Sequence, residues 1–170
     1  MTSQTLPAEA AGDAVAASEG VAARQRWMRT LAAADPDTLA AAWLGWQPKP
    51  AVQAIRGPEA GLVMVRARIG GGGERFNLGE ATVTRATVRL HGQPLAADAV
   101  GTCYVLGTDL EHARLAAIFD GLLADGGLRE RVLAEVIAPL EETAAERDRI
   151  RGTEARSTVV DFFSVAREHE

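Results

Sequence analysis

At 170 residues, with 47% hydrophobic and 24% charged side chains, the chain is long enough to bury a real core without a disulfide or metal staple. Its net charge of -5 argues against broad electrostatic binding to nucleic acid or to an anionic membrane. The single cysteine, Cys103, excludes an intrachain disulfide and a cysteine zinc cluster, and no apolar stretch approaches the length of a membrane span; these features suit a cytoplasmic protein.

The first twenty residues, MTSQTLPAEAAGDAVAASEG, hold no early lysine or arginine and no continuous apolar run. They read as neither signal peptide nor anchor. Residues 1–20 are therefore expected to form a loose leader, and 21–170 a single domain. Val21, Met28 and Leu31 recur at helical spacing. A second helix is predicted after Asp35, a good N-cap, with Pro36 at the first helical position; Leu39 and Trp43 should face the core and Gly45 should end it.

From 51 to 107 the period changes from helical to alternating. AVQAIR (51–56) reads as a short strand and GPEAG (57–61) as a turn. In LVMVRARI, Val63, Val65, Ala67 and Ile69 point one way, and Leu62, Met64, Arg66 and Arg68 the other. ATVTRATVRL alternates again, with Thr82, Thr84, Ala86, Val88 and Leu90 on one face and Val83, Arg85, Thr87 and Arg89 on its opposite. GTCYVLG supplies a further strand. Short connections favour an antiparallel meander.

Helices return at Thr108, where TDLE reads as a capping box of Thr108 and Glu111. Leu115, Ile118, Phe119 and Leu122 form an apolar stripe that ends at Gly126-Gly127. Leu128, Val132, Val136 and Leu140 continue at helical spacing, and Pro139 should kink or split that helix. Helices, then strands, then helices indicate an α+β fold: an antiparallel meander with an N-terminal helix pair and C-terminal helices packed on it.

The candidate chemistry centres on GGGGERF (70–76). A P-loop needs lysine and Ser/Thr after its last glycine, whereas Glu74 and Arg75 follow here. The dinucleotide pattern needs a third glycine and an immediate helix, whereas Phe76 and a strand follow. A glycine run also lets backbone amides converge on an anion, so Gly71, Gly72 and Gly73 with Arg75 form a candidate anion site. Arg66 and Arg68 share a strand face, as do Arg85 and Arg89. A register that joined those faces would set up to four guanidiniums on one surface. A solvated strand face and a plain hairpin turn account for the same residues.

Elsewhere Cys103 reads as a small buried residue, and His112 as an exposed helix-start histidine rather than an acid–base group. His91, His112 and Cys103 fit no metal-ligand spacing. Asp161 with Phe162 and Phe163 reads either as a docking element or as a latch on the chain's own core. No nucleophile-elbow spacing supports a hydrolase.

RQRWM (24–28), IRGPEAGLVMVRARIGGGGERFNLGEATVTRATVRL (55–90), YVLGTD and EHA (104–113), IAPL (137–140) and VDFF (160–163) resemble, in order and spacing, the PhnG family, the G subunit of the bacterial carbon–phosphorus lyase system. The resemblance implies a cytoplasmic complex with the H, I, J and L subunits, holding two copies of this chain. It also implies a reaction in which a phosphonate attacks the ribose C1′ of ATP, adenine leaves, and ribose 1-methylphosphonate 5-triphosphate forms. In that setting ATP is a substrate of the complex and this chain itself binds no cofactor. Catalysis rests on the I subunit, and Arg68, Gly71, Gly72, Gly73, Glu74, Arg75, Arg85 and Arg89 become candidates for an interface or an anion contact. The alternative is a stand-alone nucleotide or phosphonate binding module. A longer leader and the connection GQPLAADAVGTC depart from the family pattern.

Overall fold

The computed structural model describes residues 8–157. Two helices open the chain, α1 (Ala8–Ala33) and α2 (Pro36–Gly45). Three strands follow, β1 (Ala51–Arg68), β2 (Arg75–His91) and β3 (Ala99–Leu106). The chain then returns to helix in α3 (Leu110–Ala124), α4 (Arg129–Val132) and α5 (Ala138–Ser157), with a wide π-turn at Leu133–Ile137 between the last two. The strands form one antiparallel sheet in the order β1-β2-β3. The α+β meander expected from the alternating pattern is present.

Helix α1 begins at Ala8, so helical backbone starts inside the stretch expected as a leader. The second helix forms as its sequence dictates: the Asp35 carboxylate accepts the Thr38 amide at 2.9 Å, Pro36 opens the first turn, and Leu39 is fully buried. That amide, followed by the Thr38 hydroxyl, holds the Asp35 carboxyl below its ordinary range. Before α3 the cap lies one residue later than the predicted box. Asp109, not Thr108, accepts the His112 amide at 2.8 Å, and Glu111 turns instead to Arg114. The π-turn sits immediately before Pro139. Proline has no N–H to close on the carbonyl four residues back; where a kink or a split was expected, the helix widens into a π-turn.

Two expectations need correction. GPEAG is not a turn: β1 runs through it, and register shifts between Ala54 and Arg56 and between Arg56 and Glu59 absorb the extra residues as bulges. His112 is not exposed. It is 95% buried, and its ring Nε2–H donates to the Leu31 carbonyl at 2.8 Å, tying the end of α1 to the start of α3.

The core lies between α3 and one face of the sheet. Ala86, Val88 and Leu90 of β2 and Cys103 and Val105 of β3 meet Leu115, Ile118, Phe119 and Leu122, while Trp27 and Leu31, Leu39 and Trp46, and Val132, Val136 and Ile137 close the sides. The approach of helix to sheet is extreme at Gly101, where a Cβ would lie 1.9 Å from the Ala117 carbonyl oxygen. Only glycine fits there.

Asp120 sits in the middle of the apolar stripe of α3 and is 1% exposed. Its carboxylate accepts Arg24 Nη2 at 2.6 Å, Trp27 Nε1 at 2.9 Å and the Thr102 amide at 3.0 Å. One side chain thereby joins α1, α3 and the outer edge of β3.

Candidate functional site

Strand β3 pairs with β2 only from Val83 to Leu90, yet β1 and β2 stay paired out to Arg68 and Arg75. Beyond Val83 the sheet therefore continues as a two-stranded arm, residues 62–82, closed by a 3-10 turn at Ile69–Gly71. A lone two-stranded ribbon is marginal in water, and this one is apolar as well as exposed: Leu62, Met64, Ile69 and Leu78 are each more than half accessible, and Val63, Val65 and Phe76 more than a third.

The two faces of the arm differ. Residues opposite one another in an antiparallel pair share a face, and successive residues alternate. On one face Gly61 pairs with Val83, Val63 with Ala81, Val65 with Gly79, and Ala67 with Phe76. No charge interrupts it, and Leu106 of β3, opposite Val83 and 76% exposed, continues it into the body of the sheet. This is the sheet face turned away from α3, which also bears the exposed Tyr104 and Val100. On the other face Leu62 pairs with Thr82, Met64 with Glu80, Arg66 with Asn77, and Arg68 with Arg75. Leu78 is the extra residue of a bulge between these pairs, which keeps Arg75 and Asn77 on the arginine face.

This register separates the arginines that the sequence might have joined. Arg85 lies opposite Glu59 on the apolar face, nine residues along β1 from Arg68, or about 30 Å at ~3.3 Å per residue. It donates to Glu59 Oε1 at 2.8 Å, and that bond, followed by one to Tyr104, raises its pKa further. Arg89 pairs with Asp98. Arg66, Arg68 and Arg75 form their own group at the tip.

The glycine loop is folded on itself. The amides of Gly72 and Gly73 both donate to the Ile69 carbonyl, the latter at 2.9 Å, so neither is available to an anion. Gly70 adopts φ 58, the left-handed conformation that reverses the chain. Arg68 Nη1 braces the turn by donating to the Gly73 carbonyl at 3.0 Å. Glu74 and Arg75 make no ion pair among the described residues.

The remaining candidates serve the core. Cys103 is fully buried and burial pushes its thiol up to about 12, which removes the thiolate a nucleophile would need. His112 is committed to Leu31. Among the described residues no three His, Cys, Asp or Glu side chains are grouped to hold a metal ion, and no helix is long and apolar enough to cross a membrane. A cleft of 480 Å³ between α1 and the α4–α5 run is lined by Trp27, Arg129, Leu133 and Ile137, and by none of the candidates. Asp161, Phe162 and Phe163 lie outside the described residues.

The signature of the family described as "Phosphonate metabolism protein PhnG" matches residues 22–168. The chain belongs to this family. A PhnG relative from Rhizobium meliloti (strain 1021), named alpha-D-ribose 1-methylphosphonate 5-triphosphate synthase subunit PhnG, is 50% identical over 151 residues, which cover 87% of this chain and 91% of the relative. The PhnG match includes the whole arm and the whole core. It is thus as a member of a family of phosphonate metabolism proteins, with a relative that works as a subunit, that the uncovered apolar face has to be understood.

Two features escaped sequence reasoning. Nothing in the alternation of β1 and β2 announced that β3 would stop at Val83, because strand length is set by pairing partners. Asp120 was passed over as well, although the signal that could have found it was there: a lone carboxylate inside IFDGLL has to find buried donors.

Proposed function

We infer that this chain is a structural, non-catalytic subunit of a synthase that transfers the ribose triphosphate of ATP to a phosphonate such as methylphosphonate. A phosphonate oxygen forms the new bond to ribose C1′, the bond from C1′ to adenine breaks, and adenine departs with the electron pair. The partners are the H, I, J and L subunits of the carbon–phosphorus lyase system, with two copies of this chain in a cytoplasmic assembly, and the reacting groups lie on the I subunit.

The observation that carries the reading is the apolar face running from Leu106 through Val63 and Val65 to Phe76. Isolated proteins seldom leave a continuous apolar strip of this kind in water. Burying it against another subunit supplies the hydrophobic gain that a permanent interface requires. Cys103 and His112, the two residues weighed in the sequence for a chemical role and set aside, are both enclosed in the chain's own core, which favours a supporting role.

The test is co-expression with a tagged I subunit. The expected result is stoichiometric capture of this chain in a complex that survives gel filtration. A well-behaved monomer that never co-purifies with the tagged subunit overturns the reading.

A further inference from the structure

We propose that the tip of the arm is a polyphosphate-binding element, in which Arg66, Arg68 and Arg75 hold the triphosphate end of the nucleotide in the assembled complex. This rests on the reading above, that the chain works within the synthase. The starting point is a contrast among the six arginines of the sheet. Arg56 and Arg85 are answered by Glu59, and Arg89 by Asp98. Among the described residues Arg66, Arg68 and Arg75 have no carboxylate. Glu80, diagonal to Arg66 on the same face, and Glu74, beside Arg75 in the chain, both stand close enough in sequence to serve and neither does.

Like charges directly opposite one another weaken a sheet, and Arg68 is directly opposite Arg75. Opposed residues lie about 5 Å apart between Cα atoms, and Arg66 is one pleat further, about 7 Å along the strand. Three guanidinium forks in that space match an extended polyanion better than a single phosphonate group, because each fork takes two oxygens. The turn beyond them, Gly70 to Gly73, places no side chain in the way, and the bond from Arg68 to the Gly73 carbonyl fixes one fork relative to the turn.

The pleat gives the proposal its mechanical sense. The apolar face of the arm docks, and the arginines occupy the opposite face, so seating the subunit leaves them facing outward from that contact. In water the tip is screened and holds an anion weakly; beside a partner surface of lower dielectric the same charges act more strongly. The R. meliloti relative is named for a product that carries a 5-triphosphate at the end of the ribose remote from the 1-methylphosphonate. Three fixed cations at that remote end would orient the ribose without touching the reacting carbon.

The experiment compares the wild-type complex with one containing Arg66→Gln, Arg68→Gln and Arg75→Gln together, and with one containing Arg75→Lys. Assembly is read by gel filtration with light scattering. Affinity is read by calorimetry with ATP, inorganic tripolyphosphate and methylphosphonate as separate probes. The expected result is an intact variant complex that binds ATP and tripolyphosphate at least tenfold more weakly, with methylphosphonate changed less than twofold and Arg75→Lys intermediate. An intact variant complex with unaltered ATP and tripolyphosphate affinity overturns the proposal. So does loss of methylphosphonate binding alone, which would assign the cluster to the other anion. Failure of the triple variant to assemble also overturns it, by making the arginines contacts to an acidic partner surface. Failure of the wild-type chain to assemble is a separate outcome and defeats the subunit reading itself.

Discussion

The body of the sheet and its arm are built from the same two strands and obey opposite rules. In the body, the buried polar side chains Thr84, His112, Asp120 and Asp125 all have partners, and among the described residues only Trp46 Nε1 is buried without one. The outer edge of β3 is guarded: α1 crosses beside it and Asp120 takes the Thr102 amide that an added strand would seek. In the arm, among the described residues, no helix covers either face, apolar side chains stand in solvent, and three arginines go without a carboxylate. A chain that packs helices on its body and leaves its arm bare among the described residues has two kinds of surface, one finished by folding and one finished by assembly.

If that contrast is real, damage to the body should unfold the isolated chain and damage to the arm should not. Asp120→Ala is expected to have the largest effect. The Arg24 guanidinium is half exposed and can turn to water, but the Trp27 indole N–H and the Thr102 amide lose their acceptor, at about 1–3 kcal/mol for each donor left unsatisfied. Urea unfolding of the purified chain measures it, and Asp120→Asn, which keeps an acceptor, should recover part of the loss. Gly101→Ala comes next. Its methyl group would meet the Ala117 carbonyl at 1.9 Å and Gly121 at 2.5 Å, so α3 must move off the sheet, at about 1–3 kcal/mol. A melting temperature unchanged by Gly101→Ala would mean that α3 packs less closely than described.

The same contrast explains what sequence alone could and could not say. The body was legible because period and burial coincide there: Thr84, Ala86, Val88 and Leu90 alternate with Arg85, Thr87 and Arg89, and the first set is the buried one. The cap at Asp35 and an irregularity near Pro139, though not its form as a π-turn, were legible because they depend on two or three neighbouring residues. His112 was misjudged because its burial depends on the end of α1, eighty-one residues away. GPEAG was misread as a turn because a proline and two glycines signal chain reversal locally, whereas bulges opposite Thr87 and Arg85 let the strand run on. The separation of Arg68 from Arg85 depends on register over nine residues of β1, and alternation fixes parity without fixing register.

A subtler test of the body uses pH. Cys103 holds its proton up to about 12 in the folded chain because burial disfavours the thiolate, against an ordinary value of 9.0. Above pH 9 the unfolded chain releases that proton while the folded chain keeps it. The unfolded state then binds fewer protons, and stability falls as pH rises from about 9 towards 12, with a limiting slope of about 1.4 kcal/mol per pH unit. Wild type and Cys103→Ala should therefore diverge in urea midpoint between pH 8 and pH 10. Parallel curves would mean that solvent reaches the thiol.

The smallest expected effect on folding is the one that decides most. Val63→Thr, Val65→Thr and Phe76→Thr keep residues suited to a strand but replace the apolar face of the arm with hydroxyls. In the body such changes would be severe. On surface that none of the described residues covers, each should alter the stability of the isolated chain by less than about 0.5 kcal/mol. The same triple variant should lose co-purification with the partner subunits, since the interface would have to bury three hydroxyls where it expects hydrocarbon. The two readouts pull apart only if the arm is foreign to the chain's own core. Should the variant unfold easily and, when folded, still assemble, the arm would belong to the body after all, and the subunit would have to be held through a surface other than this one.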